Sequence, residues 1–269
     1  MNILDKILSH KKTEIAAAKE LYPIALLEQS IYFDSPSISF CKYLMQEDKV
    51  GIIAEIKRKS PSKGMINEYV NIEQISIGYM QAGASALSIL TDKEFFGGSN
   101  SYLTTARKFN FCPILRKDFI IDEYQLIEAK SIGADVVLLI AAALTPDNLK
   151  ALAKKARALG LEVLMEVHTE AELNSHLNEY VNVVGVNNRD LTTFETDIAT
   201  SKKLAAKIPE DFLRISESGI HSAKDIHELK AFGYNGFLIG ERFMTAPDPQ
   251  KACAVFIQSV KRYNTTVNS

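Results

Sequence analysis

Eight short apolar runs recur along this chain from residue 51 onward, and their repetition restricts the possible folds more than any other feature. They occupy residues 51–57, 86–92, 113–118, 136–142, 162–168, 183–190, 213–219 and 236–243, with starts 21 to 35 residues apart. That spacing is the length of a strand plus the crossover helix that a parallel neighbour needs. Apolar residues are nearly continuous within each run, as in strands covered on both faces. Helical patterns lie between them. Residues 71–81, 122–131 and 222–232 are followed by Gly83, Gly133 and Gly233, and Thr145-Pro146 opens a stretch that ends at Gly160.

Eight βα units predict a closed (β/α)8 TIM barrel. An open doubly wound sheet is the structural rival, but the expected Gly-x-Gly-x-x-Gly turn does not follow the first strand. The 269 residues could form one large domain or two small ones; no linker or change of composition divides the repeats, which favours one. Residues 1–48 differ: Ile3, Leu4, Ile7, Leu8, Ile15, Ala16 and Ala18 recur at helical spacing among charges, and 40–45 predicts a second helix. The expected organisation is a helical N-terminal extension over 1–48 and a catalytic barrel over 49–269, with the extension near the barrel rim.

The 31 basic and 33 acidic side chains give a net charge of −2, which supplies no electrostatic reason for a nucleic acid or an anionic membrane as partner. Cys41, Cys112 and Cys253 form no Cys-x-x-Cys pair and suggest neither a disulfide framework nor a thiolate metal site. The longest apolar run, 136–144, is nine residues, and the first twelve residues contain no secretory apolar segment. A cytoplasmic protein is expected.

Polar residues gather where strands end. Glu55 and Lys57 share one face of the first strand, and the third ends in Arg116-Lys117-Asp118. The fifth ends in Glu166-Val167-His168, while Asn187 and Arg189 share a face at the end of the sixth. Taken singly, a lysine or glutamate at a strand end is ordinarily a solvated loop residue or half of a structural ion pair. Four strands carrying ionisable groups at the same end point instead to the catalytic rim of a barrel, where burial and neighbouring charges tune acids and bases. Of the five histidines, only His168 is expected near this rim, behind the reacting groups rather than among them.

Strands seven and eight end in Ser216-Glu217-Ser218-Gly219 and Ile239-Gly240-Glu241, each before a helical turn. Small residues there let a phosphate approach backbone N–H groups. The loop 57–64, Lys-Arg-Lys-Ser-Pro-Ser-Lys-Gly, brings Ser60 and basic charge toward the same place and is able to close over a ligand. Phe95-Phe96-Gly97-Gly98-Ser99 suggests an apolar or aromatic ligand part.

Residues 53–64, Ile-Ala-Glu-Ile-Lys-Arg-Lys-Ser-Pro-Ser-Lys-Gly, resemble the signature of the indole-3-glycerol phosphate synthases. The resemblance continues through Leu90-Thr91-Asp92, 95–99, 113–119, 165–168, 186–191, 216–220 and 237–241, in family order. It implies decarboxylating, dehydrating ring closure of 1-(2-carboxyphenylamino)-1-deoxyribulose 5-phosphate, with no cofactor and no metal, in a chain acting as a monomer on a small phosphorylated substrate. By the same resemblance Lys117 is the general acid and Glu166 the acid/base group. Lys57 contacts substrate and assists dehydration, Glu55 positions it, and Asn187 and Arg189 orient the substrate. Ser60, Ser218, Gly219, Gly240 and the backbone of Glu241 hold the phosphate, the Glu241 side chain pointing away, while Phe96 and Phe119 wall the aryl ring. Arg242 stands where the family commonly has small residues. A phosphoribosylanthranilate isomerase-like barrel is the alternative in the same fold, although a cysteine would be expected on its first strand; a non-catalytic phosphate-binding barrel is the alternative in another class.

Overall fold

The computed structural model describes residues 2–190 and 193–267. Its eight main strands are β1 (Ile52–Ile56), β2 (Ala86–Leu90), β3 (Ile114–Lys117), β4 (Val136–Ile140), β5 (Glu162–Val167), β6 (Val183–Asn187), β7 (Leu213–Glu217) and β8 (Gly236–Ile239). Each pairs in parallel with its sequence neighbour, and β1 also pairs with β8, which closes the barrel. Three helices precede the barrel: α1 (Ile3–Leu21), α2 (Ile24–Leu27) and α3 (Phe40–Leu44). The crossovers carry α4 (Ile72–Gln81), α5 (Asn100–Phe109), α6 (Glu123–Ser131), α7 (Pro146–Ala158), α8 (Glu170–His176), α9 (Ala199–Ala205) and α10 (Ala223–Ala231). After β8 come α11 (Glu241–Met244) and α12 (Pro249–Val267).

Strand alternation divides the apolar residues into two cores. Ile53, Leu115, Val136, Leu138, Leu164, Val183, Ile215 and Leu238 meet inside the barrel, while Ile52, Ala54, Leu87, Val137, Leu139, Val163 and Phe237 pack outward against the helices. Phe40 and Leu44 of α3 join the inner cluster. They meet the strands where these begin, Leu44 lying against Gly236. The amino end of the barrel is therefore closed by apolar side chains, and the polar ends of the strands face the opposite opening.

The expected helix starts are N-caps: the Asn71, Asp122, Thr145 and Ser222 side chains each accept a first-turn N–H. Gly133 and Gly233, at φ 93° and 84°, take the left-handed conformation that ends a helix. The strands begin within a residue of where expected but stop earlier: at most ends polar residues leave the ladder for the rim loops, and after β4 the apolar Ala141–Ala143 turn into a 3-10 helix. The eighth run changes structure most. Gly240 breaks the strand, and Phe243 and Met244 are buried from the helical turn α11 rather than from an extended chain.

Helix α1 buries Ile7, Lys11 and Ile15, spaced four apart on one face. Lys11 lies in the middle of this apolar stripe, only 2% exposed, with its Nζ 2.9 Å from Asp92 Oδ2, 2.9 Å from Asp118 Oδ1 and 2.8 Å from Glu14 Oε2. Burial opposes its charge, but Asp118 and Asp92 outweigh that and keep it an ammonium. The Tyr124 hydroxyl, 2.9 Å from the carbonyls of Ala18 and Tyr22, fastens the far end of α1 to α6. Lys11→Met should leave two buried carboxylates short of a counter-ion and lower unfolding stability by about 3–5 kcal/mol. Urea unfolding measures this, and a change below about 1 kcal/mol would refute a structural role for the pair.

Candidate active site

The same alternation that fills the barrel with aliphatic side chains brings polar ones to its open end. Two residues beyond Ile53, Leu115, Leu164 and Ile215 come Glu55, Lys117, Glu166 and Glu217, and four beyond Val183 comes Asn187. These groups meet. Lys117 Nζ lies 2.8 Å from Glu166 Oε2 and 2.7 Å from Glu217 Oε2, and Lys57 Nζ is 2.9 Å from Glu55 Oε1. Asn187 Nδ2 donates to Glu166 Oε1 at 3.2 Å, and its Oδ1 accepts the Arg189 N–H at 3.0 Å. Two glycines make room: a Cβ on Gly185 would come 2.5 Å from Glu217 Oε1, and one on Gly240 would come 2.5 Å from Glu55 Oε1.

One ammonium between two buried carboxylates cannot neutralise both. Burial works against the Lys117 charge, but Glu166, Glu217 and Glu55 overcome it and hold the amine protonated well above the ordinary lysine range. Burial would also raise Glu166, yet Lys117 and then His168 keep it ionised below the usual carboxylate range. Glu217 goes the other way. Burial, reinforced by the negative charges of Glu166 and Glu55 and only partly offset by Lys117, pushes it up to about 7. The trio thus contains a fixed cation, a fixed anion and a carboxyl group that exchanges its proton near neutral pH.

The narrow part of the cavity, about 170 Å³, carries an apolar wall. Phe96 and Phe119 lie with ring centroids 5.9 Å apart, and Ile3, Leu4 and Ile7 of α1 close the same space. The backbone of both aromatics is held by the carboxylates that Lys11 joins. Asp92 Oδ1 accepts the Phe95 and Phe96 N–H groups at 2.8 and 3.2 Å, and Asp118 Oδ1 accepts that of Phe119 at 2.8 Å.

A wider cleft of about 1150 Å³ adjoins this space and is bordered by Ser218, Gly219, Gly240, Glu241, Lys63 and Arg189. Ser218 and Gly219 are consecutive residues at φ 67° and 72°. For serine this is an uncommon conformation, and it exposes a turn of backbone to the cleft. Asn188, buried beside it, donates to the Ser218 carbonyl at 3.0 Å and fixes the turn. Ser60 lies in the narrow part, at the start of a short antiparallel hairpin in which Lys59 and Ser60 pair with Met65 and Gly64.

All thirteen residues singled out from the sequence border these two connected spaces: Glu55, Lys57, Lys117, Glu166, Asn187, Arg189, Ser60, Phe96, Phe119, Ser218, Gly219, Gly240 and Glu241. Two details differ from expectation. The Glu241 carboxylate does not turn away from the cleft; it faces Lys63 at 3.4 Å and Arg189 at 3.8 Å, because these cations flank it across the opening. His221 also borders the wide cleft, so His168 is not alone near the rim. Arg242 is turned onto the Phe256 ring, 5.0 Å from its centre. Leu191, the last residue of one expected motif, lies outside the described residues. Glu217 is a functional residue not among those thirteen: in the sequence it merges with the glycine-containing phosphate loop, and its signal is its place two residues beyond apolar Ile215.

A closed parallel barrel, apolar through its interior and carrying an ammonium and three carboxylates at the carboxyl ends of its strands, has the construction of a (β/α)8-barrel enzyme. Solved barrels of distant sequence share the fold. A chain described as native KDPGal structure aligns over 81% of this chain and 96% of its own length, with TM-score 0.57 and 14% identity. A chain of the tryptophan synthase complex from Pyrococcus furiosus aligns over 81% and 100%, with TM-score 0.59 and 13% identity. Residues 4–256 match the family model for indole-3-glycerol phosphate synthase. Curated proteins of that name are 46% identical over 97% of this chain and 99% of the relative in Bacteroides thetaiotaomicron, and 42% identical over 94% and 99% in Carboxydothermus hydrogenoformans. The chain belongs to the indole-3-glycerol phosphate synthase family, carboxy-lyases of tryptophan biosynthesis.

Replacing Glu217 with glutamine removes one of the anions that raise Lys117. A glutamine has no proton to exchange, so an inflection near neutrality in the kcat profile should disappear. A pH–rate profile superimposable on that of the wild type would exclude a part for Glu217 in the titration of the site.

Proposed function

We propose that this chain performs the synthase reaction with Lys117 as the acid at the substrate carbonyl and Glu166 as the group that handles later proton transfers. The observation that carries the proposal is Lys117 held between Glu166 and Glu217, with an aromatic wall on one side and the Ser218–Gly219 turn on the other. The aryl carbon bearing the carboxylate attacks the ribulose carbonyl carbon and forms the new carbon–carbon bond. Lys117 gives its proton to the carbonyl oxygen, which becomes a hydroxyl. The bond to the carboxylate then breaks, its electron pair restores the aromatic ring, and carbon dioxide leaves. Loss of the hydroxyl as water and of a ring-carbon proton completes the indole. Glu166 is suited to take that proton because it is ionised and hydrogen-bonded to Asn187. Lys57, paired with Glu55, supplies a second ammonium near the leaving hydroxyl.

Phe96 and Phe119 receive the aryl ring, while Asn187 and Arg189 orient the carboxylate or hydroxyls. Ser60, Ser218, Gly219, Gly240 and the backbone of Glu241 receive the phosphate. The chemistry needs an acid, an apolar slot and an anion site, and calls for no cofactor or metal. The working unit in this proposal is a monomer. Residues 1–48 act with the barrel of 49–269, since Ile3, Leu4 and Ile7 border the aryl slot. Free thiols at Cys41, Cys112 and Cys253 are compatible with the cytoplasm.

Purified protein given 1-(2-carboxyphenylamino)-1-deoxyribulose 5-phosphate should develop the fluorescence of an indole product. A folded protein that gives no signal would instead favour a binding subunit. Lys117→Ala and Glu166→Gln should each lower kcat by about 10²- to 10⁴-fold, with circular dichroism confirming that each variant assayed is folded. Near-wild-type turnover in both variants would remove these two assignments.

A further inference from the structure

The proposed chemistry makes no use of His168, yet its ring is held against the reacting groups. Leu164, Glu166 and His168 are two residues apart, so the inward register of β5 continues past the end of the strand and sets the ring beside the Glu166 carboxylate. Helix α8 begins at once, and its start supplies the second partner. Thr169 is the N-cap, its Oγ1 accepting the Glu172 N–H at 3.2 Å, and Glu172 Oε2 reaches back to accept the His168 N–H at 2.6 Å. That same oxygen lies 3.6 Å from His168 Nδ1, while Glu166 Oε1 lies 3.6 Å from Nε2. Both ring nitrogens are shielded from solvent and have no closer hydrogen-bond partner among the described residues.

A neutral imidazole has one N–H and one lone pair, whereas two ionised carboxylates can only accept. Held between Glu166 and Glu172, a neutral ring would turn its lone pair toward one of these anions. A protonated ring offers an N–H to each. The charged groups around it are Glu166 on β5, Glu172 on α8 and Glu217 on β7, with Lys117 of β3 on the far side of Glu166. Burial disfavours the cation, but these carboxylates outweigh it and raise the ring above the ordinary histidine range. The charge is therefore present below that raised value and is lost as pH climbs through it. The ring and Asn187 share Glu166 Oε1, which leaves Oε2 for Lys117.

We propose that His168 is a positioning residue, an imidazolium clamped by Glu172 that keeps Glu166 ionised and turned toward Lys117. The proposal rests on the assignment of Glu166 as the acid/base group. His168→Gln removes the charge but retains a polar side chain of similar reach. Without the neighbouring cation Glu166 binds its proton more tightly, so the acid limb of the kcat profile should move up by about one unit. Glu172→Gln should move it the same way but less, because the ring then deprotonates at lower pH.

Nitrogen-15 NMR of histidine-labelled, substrate-free protein reads the ring directly, with the His168 signals identified by their loss in His168→Gln. Both nitrogens should be protonated at pH 7 in the wild type, and the titration should move to lower pH in Glu172→Gln. A neutral His168 at pH 7, or a His168→Gln enzyme with reduced kcat but an unmoved acid limb, overturns the proposal. The NMR result needs no turnover, so it separates failure of this pairing from failure of the catalytic assignment. A wild-type chain with no synthase activity would overturn the latter, and with it any effect of His168 on catalysis.

Discussion

Closure of the barrel is the constraint on which the other features depend. Each strand must pair on both sides, so no strand can shift by one residue without exchanging its inner and outer faces. Once Ile53, Leu115, Leu164 and Ile215 are committed to the interior, Glu55, Lys117, Glu166 and Glu217 are committed to the same axis two residues later. Nothing in the loops has to bring them together. The loops instead shape the surroundings: an aromatic wall after β2 and β3, a left-handed turn after β7 and a glycine break after β8.

Concentrating charge at the end of an apolar barrel forces the charges to organise one another. Isolated burial would neutralise each of these groups. Lys117 remains an ammonium because three glutamates surround it, and Glu166 remains ionised because Lys117 and His168 face it. Glu217 is the carboxylate whose proton affinity rises. Differences in surroundings, rather than in residue type, therefore separate two glutamates that touch the same nitrogen. The Lys11 network follows the same rule one layer outward, where a buried lysine makes the buried carboxylates of Asp92 and Asp118 tolerable, and these in turn hold the backbone of Phe96 and Phe119.

Much of this was legible in the sequence because it depends on local periodicity. The strand starts, the N-caps at Asn71, Asp122, Thr145 and Ser222, and the convergence of Glu55, Lys117, Glu166 and Asn187 all follow from period two, capping chemistry and the barrel count. The overlooked features depend on distance in space. Lys11 reads as one more charge on an amphipathic helix, since its partners Asp92 and Asp118 lie far along the chain. Glu217 was hidden by the Ser-Gly pair that follows it. The eighth apolar run extends through Phe243 because a buried helical turn and a buried strand are equally apolar, while Ile239-Gly240-Glu241 marks the strand's end and the helical turn that follows it.

The charge of the site also bears on how an anion enters it. Lys57, Lys63, Lys117 and Arg189 border the cavity, but Glu55, Glu166, Glu217 and Glu241 border it too, and each of these cations faces one or more of these carboxylates. The overall charge of −2 is therefore matched by near balance at the rim. On the proposed reading, a substrate carrying a carboxylate and a phosphate competes with carboxylates already present. Glu241 is the most readily displaced of these, being partly exposed and 3.4 to 3.8 Å from its partners, whereas Glu166 and Glu217 are buried and within 2.8 Å of Lys117. Anion binding can then draw on Lys63 and Arg189 at the outer cleft without disturbing the inner trio. The binding charges and the reacting charges are separated by depth in the barrel, which lets one be exchanged while the other keeps its protons in place.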